Sequence, residues 1–84
     1  MITEKGVQNI MDYVQRMRDL REDKDQTQND IANELKIKQQ QYNRYETGKR
    51  SLPIEHLITL CKYYNVSADY ILGFTDQIKP LPPK

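Results

Sequence analysis

Between Gln39 and Arg50 the chain sets out side chains able to make directional polar contacts. Gln39, Gln40, Asn43 and Arg44 recur at helical spacing on one face, with Gln41 near its edge. A Gln or Asn amide carries a donor beside an acceptor and can pair with N6 and N7 of adenine. An Arg guanidinium can pair in the same two-bond manner with O6 and N7 of guanine in a major groove. Lys36, Lys38, Arg44, Lys49 and Arg50 fall within fifteen positions, with Glu46 the only acid among them. Elsewhere the means for chemistry are thin. His56 is the single His and Cys61 the single Cys, which leaves no zinc site and no acyl-transfer or hydrolytic constellation. Gly48-Lys49 lacks the upstream glycines of a phosphate loop. No enzymatic activity, metal or cofactor is expected. Cys61 reads as a small buried core residue, and His56 as a surface residue on the outer side of its helix.

The 84 residues allow one small domain, able to bury only roughly 60% of the surface its unfolded form exposes. One Cys excludes a disulfide framework and suits a reducing compartment. No apolar run approaches a membrane span, and the first twenty residues lack a signal peptide's basic start and apolar block, so a cytoplasmic protein is expected. The formal net charge of +1 gives no hint of a polyanionic partner. Its distribution does: residues 1–26 carry −1, residues 27–53 carry +2, and residues 54–84 are balanced.

The elements that position these groups are all helical. Ile10, Tyr13, Val14, Met17 and Leu20 form an apolar stripe on a first helix spanning Gln8 to Glu22, with Asp12, Gln15, Arg16 and Asp19 on its polar face. Thr27 caps a second helix, Gln28 to Leu35, with Asp30 in its first turn and Ile31, Ala32 and Leu35 inward. A third runs from Gln39 to Thr47, with Tyr42 and Tyr45 facing inward and Gly48 as its left-handed stop. Pro53 opens a fourth, whose buried side carries Ile54, Leu57, Ile58, Leu60, Cys61 and Tyr64, ended by Asn65. Ser67 caps a short fifth, Ala68 to Leu72, closed by Gly73. Pro80, Pro82 and Pro83 mark a tail outside any helix. The divisions are an N-terminal extension at 1–7, a helical domain at 8–73 and a Pro-containing tail at 74–84.

From Met17 to Gly73, about two-thirds of the chain, the sequence resembles the Cro and lambda-repressor type helix-turn-helix family, also called the xenobiotic-response-element family. The matching strings are Leu20-Arg21-Glu22, Thr27-Gln28, Ile31-Ala32, Tyr45-Glu46-Thr47-Gly48-Lys49-Arg50, Pro53 and Val66-Ser67-Ala68-Asp69-Tyr70-Ile71-Leu72-Gly73. The resemblance implies an all-α, compact five-helix lambda-repressor-like domain that binds double-stranded DNA and regulates transcription. It implies that Gln28 bonds a phosphate, that Gln39 and Gln40 read the first bases and Arg44 a later one, and that Thr47 and Lys49 grip the backbone. It also implies a structural ion pair between Arg21 and Glu46. Asn43 joins the base readers by its position, and Lys36, Lys38 and Arg50 join the phosphate contacts by their charge. Four positions depart from the family pattern. Asp25-Gln26 stands where Gly and an apolar residue are usual, Lys36 where Gly is usual, Lys38 where Ser or Thr caps, and Tyr42 where a smaller β-branched residue sits.

The expected action is that of a repressor binding a palindromic operator as a homodimer, with Ile71, Phe74 and Ile78 at the contact between protomers. Tyr64 and Tyr70 are expected in the core, and Leu81 extends the apolar concentration near the C-terminus. An alternative is an antitoxin-like or other protein-interaction module with secondary DNA binding. Thr75 to Lys84 is short, and no ligand-sensing or toxin-neutralising domain is expected after it.

Overall fold

The computed structural model describes the backbone of residues 2–78 and side chains from Tyr13 onward. Ile10, Asp12, Pro80, Leu81, Pro82 and Pro83, which figured in the expectations above, have side chains outside that range. Five helices follow one another: α1 (Ile2–Asp23), α2 (Gln28–Leu35), α3 (Gln39–Glu46), α4 (Ile54–Tyr64) and α5 (Ala68–Ile71). α1 begins six residues before the expected Gln8, so positions 2–7 continue a helix rather than form a separate extension. Once a helix is nucleated, each further residue adds a hydrogen bond without needing a packed face. Among the described residues no helix is long and apolar enough to cross a membrane.

Local chemistry explains where the helices start and stop. The Thr27 hydroxyl accepts from the Asp30 amide at 3.1 Å, and the Asp30 carboxylate accepts from the Thr27 amide at 2.9 Å. This reciprocal capping box opens α2. Ser67 opens α5 by accepting from the Tyr70 amide. Pro53 opens α4 without a side-chain cap. α1, α2 and α4 end on residues in the left-handed region, Asp25 (φ 56°), Lys36 (φ 61°) and Asn65 (φ 57°). In each case the next residue bonds back across the turn: Gln26 to Arg21 at 3.1 Å, Ile37 to Ala32 at 3.0 Å, Val66 to Cys61 at 3.0 Å. That six-residue closure tolerates left-handed strain, because it satisfies carbonyls that the helix end would otherwise orphan. Thus Asp25 and Lys36 adopt the conformation usually given to Gly. At Gly48 (φ 80°), past α3, glycine supplies it without strain.

The helices enclose one core: Met17 and Leu20 from α1; Ile31, Ala32 and Leu35 from α2; Tyr42 and Tyr45 from α3; Leu57, Leu60, Cys61 and Tyr64 from α4; then Val66 and Ile71. α2 packs most extensively against α3, forming the helix-turn-helix, and α1 spans α3 and α5.

Several expectations are corrected. Ile54 and Ile58 are 66% and 49% exposed. The covered stripe of α4 is Leu57, Leu60, Cys61 and Tyr64, and these two isoleucines lie beside it, lining an open groove with Ala68 of α5. Ile71 is fully buried inside its own chain and cannot meet a partner, whereas Phe74 and Ile78 are 68% and 56% exposed. Tyr70 is half-buried rather than core. Arg16, expected on the solvent face of α1, lies over the Tyr70 ring with its guanidinium carbon 4.1 Å from the centroid. It donates to the carbonyls of Tyr70 and Thr75 at 3.0 and 2.9 Å and to Asp76 at 2.6 Å. His56 is half-buried against the Tyr45 ring, centroids 5.9 Å apart. α3 and α5 each stop one residue short of expectation, with Thr47 and Leu72 as their last caps.

The strained stop of α2 gives a direct expectation. Lys36→Gly removes the left-handed penalty but adds chain entropy to the unfolded state, for a net gain of about 0.5–1 kcal/mol. Thermal unfolding of the variant should therefore shift upward by several degrees; an unchanged or lower midpoint would contradict the strain.

Candidate nucleic-acid interface

The outward face of α3 exposes Gln39, Gln40 and Arg44, while Asn43 is half-buried. With Lys49 these residues line an open depression of about 370 Å³. Beside it Gln41, Arg44, Tyr45 and Arg50 line a second of about 280 Å³. Lys36, Lys38, Arg44, Lys49 and Arg50 are all exposed, Arg44, Lys49 and Arg50 lining these depressions, and among the described residues none of the five joins an ion pair. In α1 the reverse holds: Arg16 meets Asp76 at 2.6 Å, Arg21 meets Glu46 at 2.8 Å, and Arg18 lies 4.0 Å from Glu46. The positive charge left available therefore concentrates on the α2–α3 unit, as the segment count suggested.

Lys38 precedes α3 with extended backbone and gives no side-chain cap. The Thr47 hydroxyl donates to the Asn43 carbonyl at 2.8 Å, so its proton is turned into the helix and it offers only lone pairs outward in this arrangement.

Behind the face lies a polar network centred on Glu46, which is 1% exposed. Arg21 grips its carboxylate with two bonds, Nε to Oε2 at 2.8 Å and an NH2 donor to Oε1 at 2.9 Å, and donates also to the Gln26 carbonyl at 2.8 Å. The Tyr42 hydroxyl donates to Oε2 at 2.6 Å, and the Gln28 amide to Oε1 at 3.0 Å. The Gln28 carbonyl oxygen in turn accepts from Gln39 at 2.6 Å and from Asn43 at 3.0 Å. Three of the sequence-derived site residues, Gln28, Gln39 and Asn43, are thus joined to the ion pair in one continuous chain.

Burial pushes the Glu46 carboxyl up, but the bonds from Arg21, Tyr42 and Gln28 outweigh it and hold it below the usual carboxylate range. The Glu46 hydrogen bond raises Arg21 despite desolvation, and burial followed by the Glu46 bond raises Tyr42. Burial also raises Cys61 and Tyr64. A raised thiol on a buried Cys61 fits a packing residue rather than a nucleophile.

Sequence reasoning missed the part played by Tyr42, although Tyr42 and Glu46 stand at i, i+4, where side chains on one helix meet. It also missed Gln26, whose amide donates to the Tyr63 hydroxyl, and Arg18.

Two measurements test this network. Tyr42→Phe removes a bond to a buried charge and should destabilise by about 1.5–3 kcal/mol. The Tyr64 hydroxyl is buried with no hydrogen-bond partner among the described residues. Tyr64→Phe should accordingly be neutral or stabilising by about 1 kcal/mol, and equal losses for both variants in denaturant melts would refute the assignment. The second concerns pH. Glu46 titrates at roughly 4.3 when unfolded and lower when folded, so its contribution is complete above that value. It declines as pH falls through that value toward the folded pKa. Melting temperature should drop between about pH 5 and 3, and Glu46→Gln should flatten that drop.

A model of the helix-turn-helix family matches residues 17–71. A protein of Bacillus subtilis (strain 168), the "Uncharacterized HTH-type transcriptional regulator YobD", is 38% identical over 68 residues, covering 81% of this chain and 61% of that protein. The chain thus spans about three-fifths of that relative's length. No solved structure matched. With α2 and α3 packed as a helix-turn-helix and the family model covering well over half of the residues, the chain belongs to the Cro and lambda-repressor type helix-turn-helix family.

Proposed function

We propose that this protein is a cytoplasmic, sequence-specific DNA-binding transcriptional regulator, not an enzyme, and that it acts as a repressor on a palindromic operator as a homodimer. One observation carries the reading: Gln39, Gln40, Asn43 and Arg44 share a single face of α3 with Lys49, and among the described residues none of the exposed cations of this segment joins an ion pair. Family membership and the relative's printed description as a transcriptional regulator support it.

The approach to DNA is electrostatic, through Lys36, Lys38, Lys49 and Arg50, which neutralise phosphates and release counterions. Gln28 has a second amide hydrogen to offer a phosphate, and Thr47 lies at the edge of the same face. Once docked in the major groove, Gln39, Gln40, Asn43 and Arg44 meet base edges. Arg21 and Glu46 stay behind the face and hold α3 to α1. The repressor role is carried over from the resemblance to the Cro and lambda-repressor type family. Dimer formation is supported by exposed Phe74 and Ile78, held beside Arg16 on a segment pinned to α1. A two-fold pair places its recognition helices on half-sites ~34 Å apart, one turn of DNA.

Gln40→Ala should weaken binding to the preferred operator by roughly 1–3 kcal/mol and leave random DNA almost unaffected. Lys49→Ala should weaken both alike and reduce the salt dependence of log K by about one unit of slope. Operator selected by sequencing the genomic fragments that the purified protein retains serves as the probe. If Gln40→Ala cost the same on both DNAs, Gln40 would not be a reader.

A further inference from the structure

Glu46 is ionised and has no hydrogen to give, so every group facing it must donate. Gln28 is one of those groups, which fixes the amide's orientation: its NH2 points at Oε1 of Glu46, at 3.0 Å, and its carbonyl oxygen is turned away from that carboxylate. That oxygen faces the earlier turns of α3, whereas Glu46 is its last residue, and it accepts from both Gln39, at 2.6 Å, and Asn43, at 3.0 Å. Each of those amides has one N–H directed inward. Each therefore keeps its carbonyl oxygen and its second N–H for the groove.

We propose that Glu46, acting through Gln28, is a positioning residue that sets the donor–acceptor polarity of the reading helix, and so directs both Gln39 and Asn43 to adenine. This rests on the DNA-reading role proposed above. An outward oxygen beside an outward N–H complements adenine, whose N6 donates and whose N7 accepts. The opposite setting is the informative comparison. With its amide turned over, Gln28 would aim a carbonyl oxygen at a buried carboxylate and its NH2 at Gln39 and Asn43. Those two would then turn their oxygens inward and present two N–H donors outward, the complement of the two acceptors of guanine. The carboxylate excludes that setting, because an acceptor facing a buried, ionised acceptor leaves both unsatisfied. Since one oxygen serves both amides, the two reading positions are set together. The second N–H of Gln28 stays free for a phosphate, so holding the readers and touching the backbone do not compete.

The test uses the full 84-residue chain and a library of duplexes with about twenty randomised base pairs, bound fractions being sequenced. The wild type should enrich adenine at the positions whose selection disappears in Gln39→Ala and in Asn43→Ala. Gln28→Met keeps the Arg21–Glu46–Tyr42 contacts and should still melt cooperatively. It should bind more weakly overall, having lost a phosphate donor, and its adenine enrichment at both positions should fall about tenfold. Enrichment at the position lost in Arg44→Ala should persist. Glu46→Gln, whose amide can face either orientation of Gln28, should admit guanine beside adenine at both positions; if it does not fold, Gln28→Met decides alone.

A uniform loss in Gln28→Met with the adenine ratio intact would reduce Gln28 to a phosphate contact and overturn the proposal. Wild-type selection of another base at the Gln39 and Asn43 positions would overturn it while leaving base reading in place. Absence of any enrichment by the wild type would overturn the underlying DNA-reading role as well, and is told apart because no selection then exists for the variants to alter.

Discussion

A single ionised carboxylate is held almost out of water at the centre of this domain. Removing such a charge from solvent is costly unless hydrogen bonds replace its hydration. At Glu46 that replacement comes from three helices: two bonds from Arg21 on α1, one from Gln28 on α2 and one from Tyr42 on its own helix. The requirement ties the relative placement of α1, α2 and α3 to one atom group. It explains why Tyr42, larger than the family's usual residue there, is accommodated: its ring fills core volume and its hydroxyl completes the carboxylate's shell. Hydrogen bonds to a charge are stronger and more directional than apolar contacts, so the network locks orientation where hydrophobic packing alone would only favour proximity.

Ion pairing divides the cations into two populations. Arg16, Arg18 and Arg21 of α1 lie next to acids, while Lys36, Lys38, Arg44, Lys49 and Arg50 are exposed and join no ion pair among the described residues. A net charge of +1 is thereby compatible with a strongly positive local surface. The total says little about partners because pairing, not counting, decides which charges a polyanion meets.

The connections follow a second constraint. Tight turns between short helices need left-handed residues, and this chain uses Asp25, Lys36 and Asn65 for three of them. Each is held by a backbone bond closing back across the helix end. The strain is local, while the return is positional: the short turn after α2 brings α3 alongside it, with Gln28 in reach of Gln39 and Asn43.

Much of this was written locally enough to be read without coordinates. Thr27 with Asp30, Ser67, Gly48 and Asn65 act on neighbours a few residues away, so helix limits at α2, α3, α4 and α5 emerged from the sequence within a residue or so. The basic cluster and the polar stripe of α3 needed only position and periodicity. What periodicity shows is the face of a helix, not how far a neighbour covers it. Hence Ile54 and Ile58 read as buried and are exposed, and Ile71 read as available and is enclosed. Arg16 read as solvated, but the turn of the chain at Gly73 carries Thr75 and Asp76 back to it. The sequence alone determined that five helices form and which of them bears the reading residues, because caps and apolar spacing are short-range. Only the tertiary structure decided which amide faces which, since Gln28, Gln39, Asn43 and Glu46 meet across helices and the orientation of each follows from a buried charge that no linear pattern reveals.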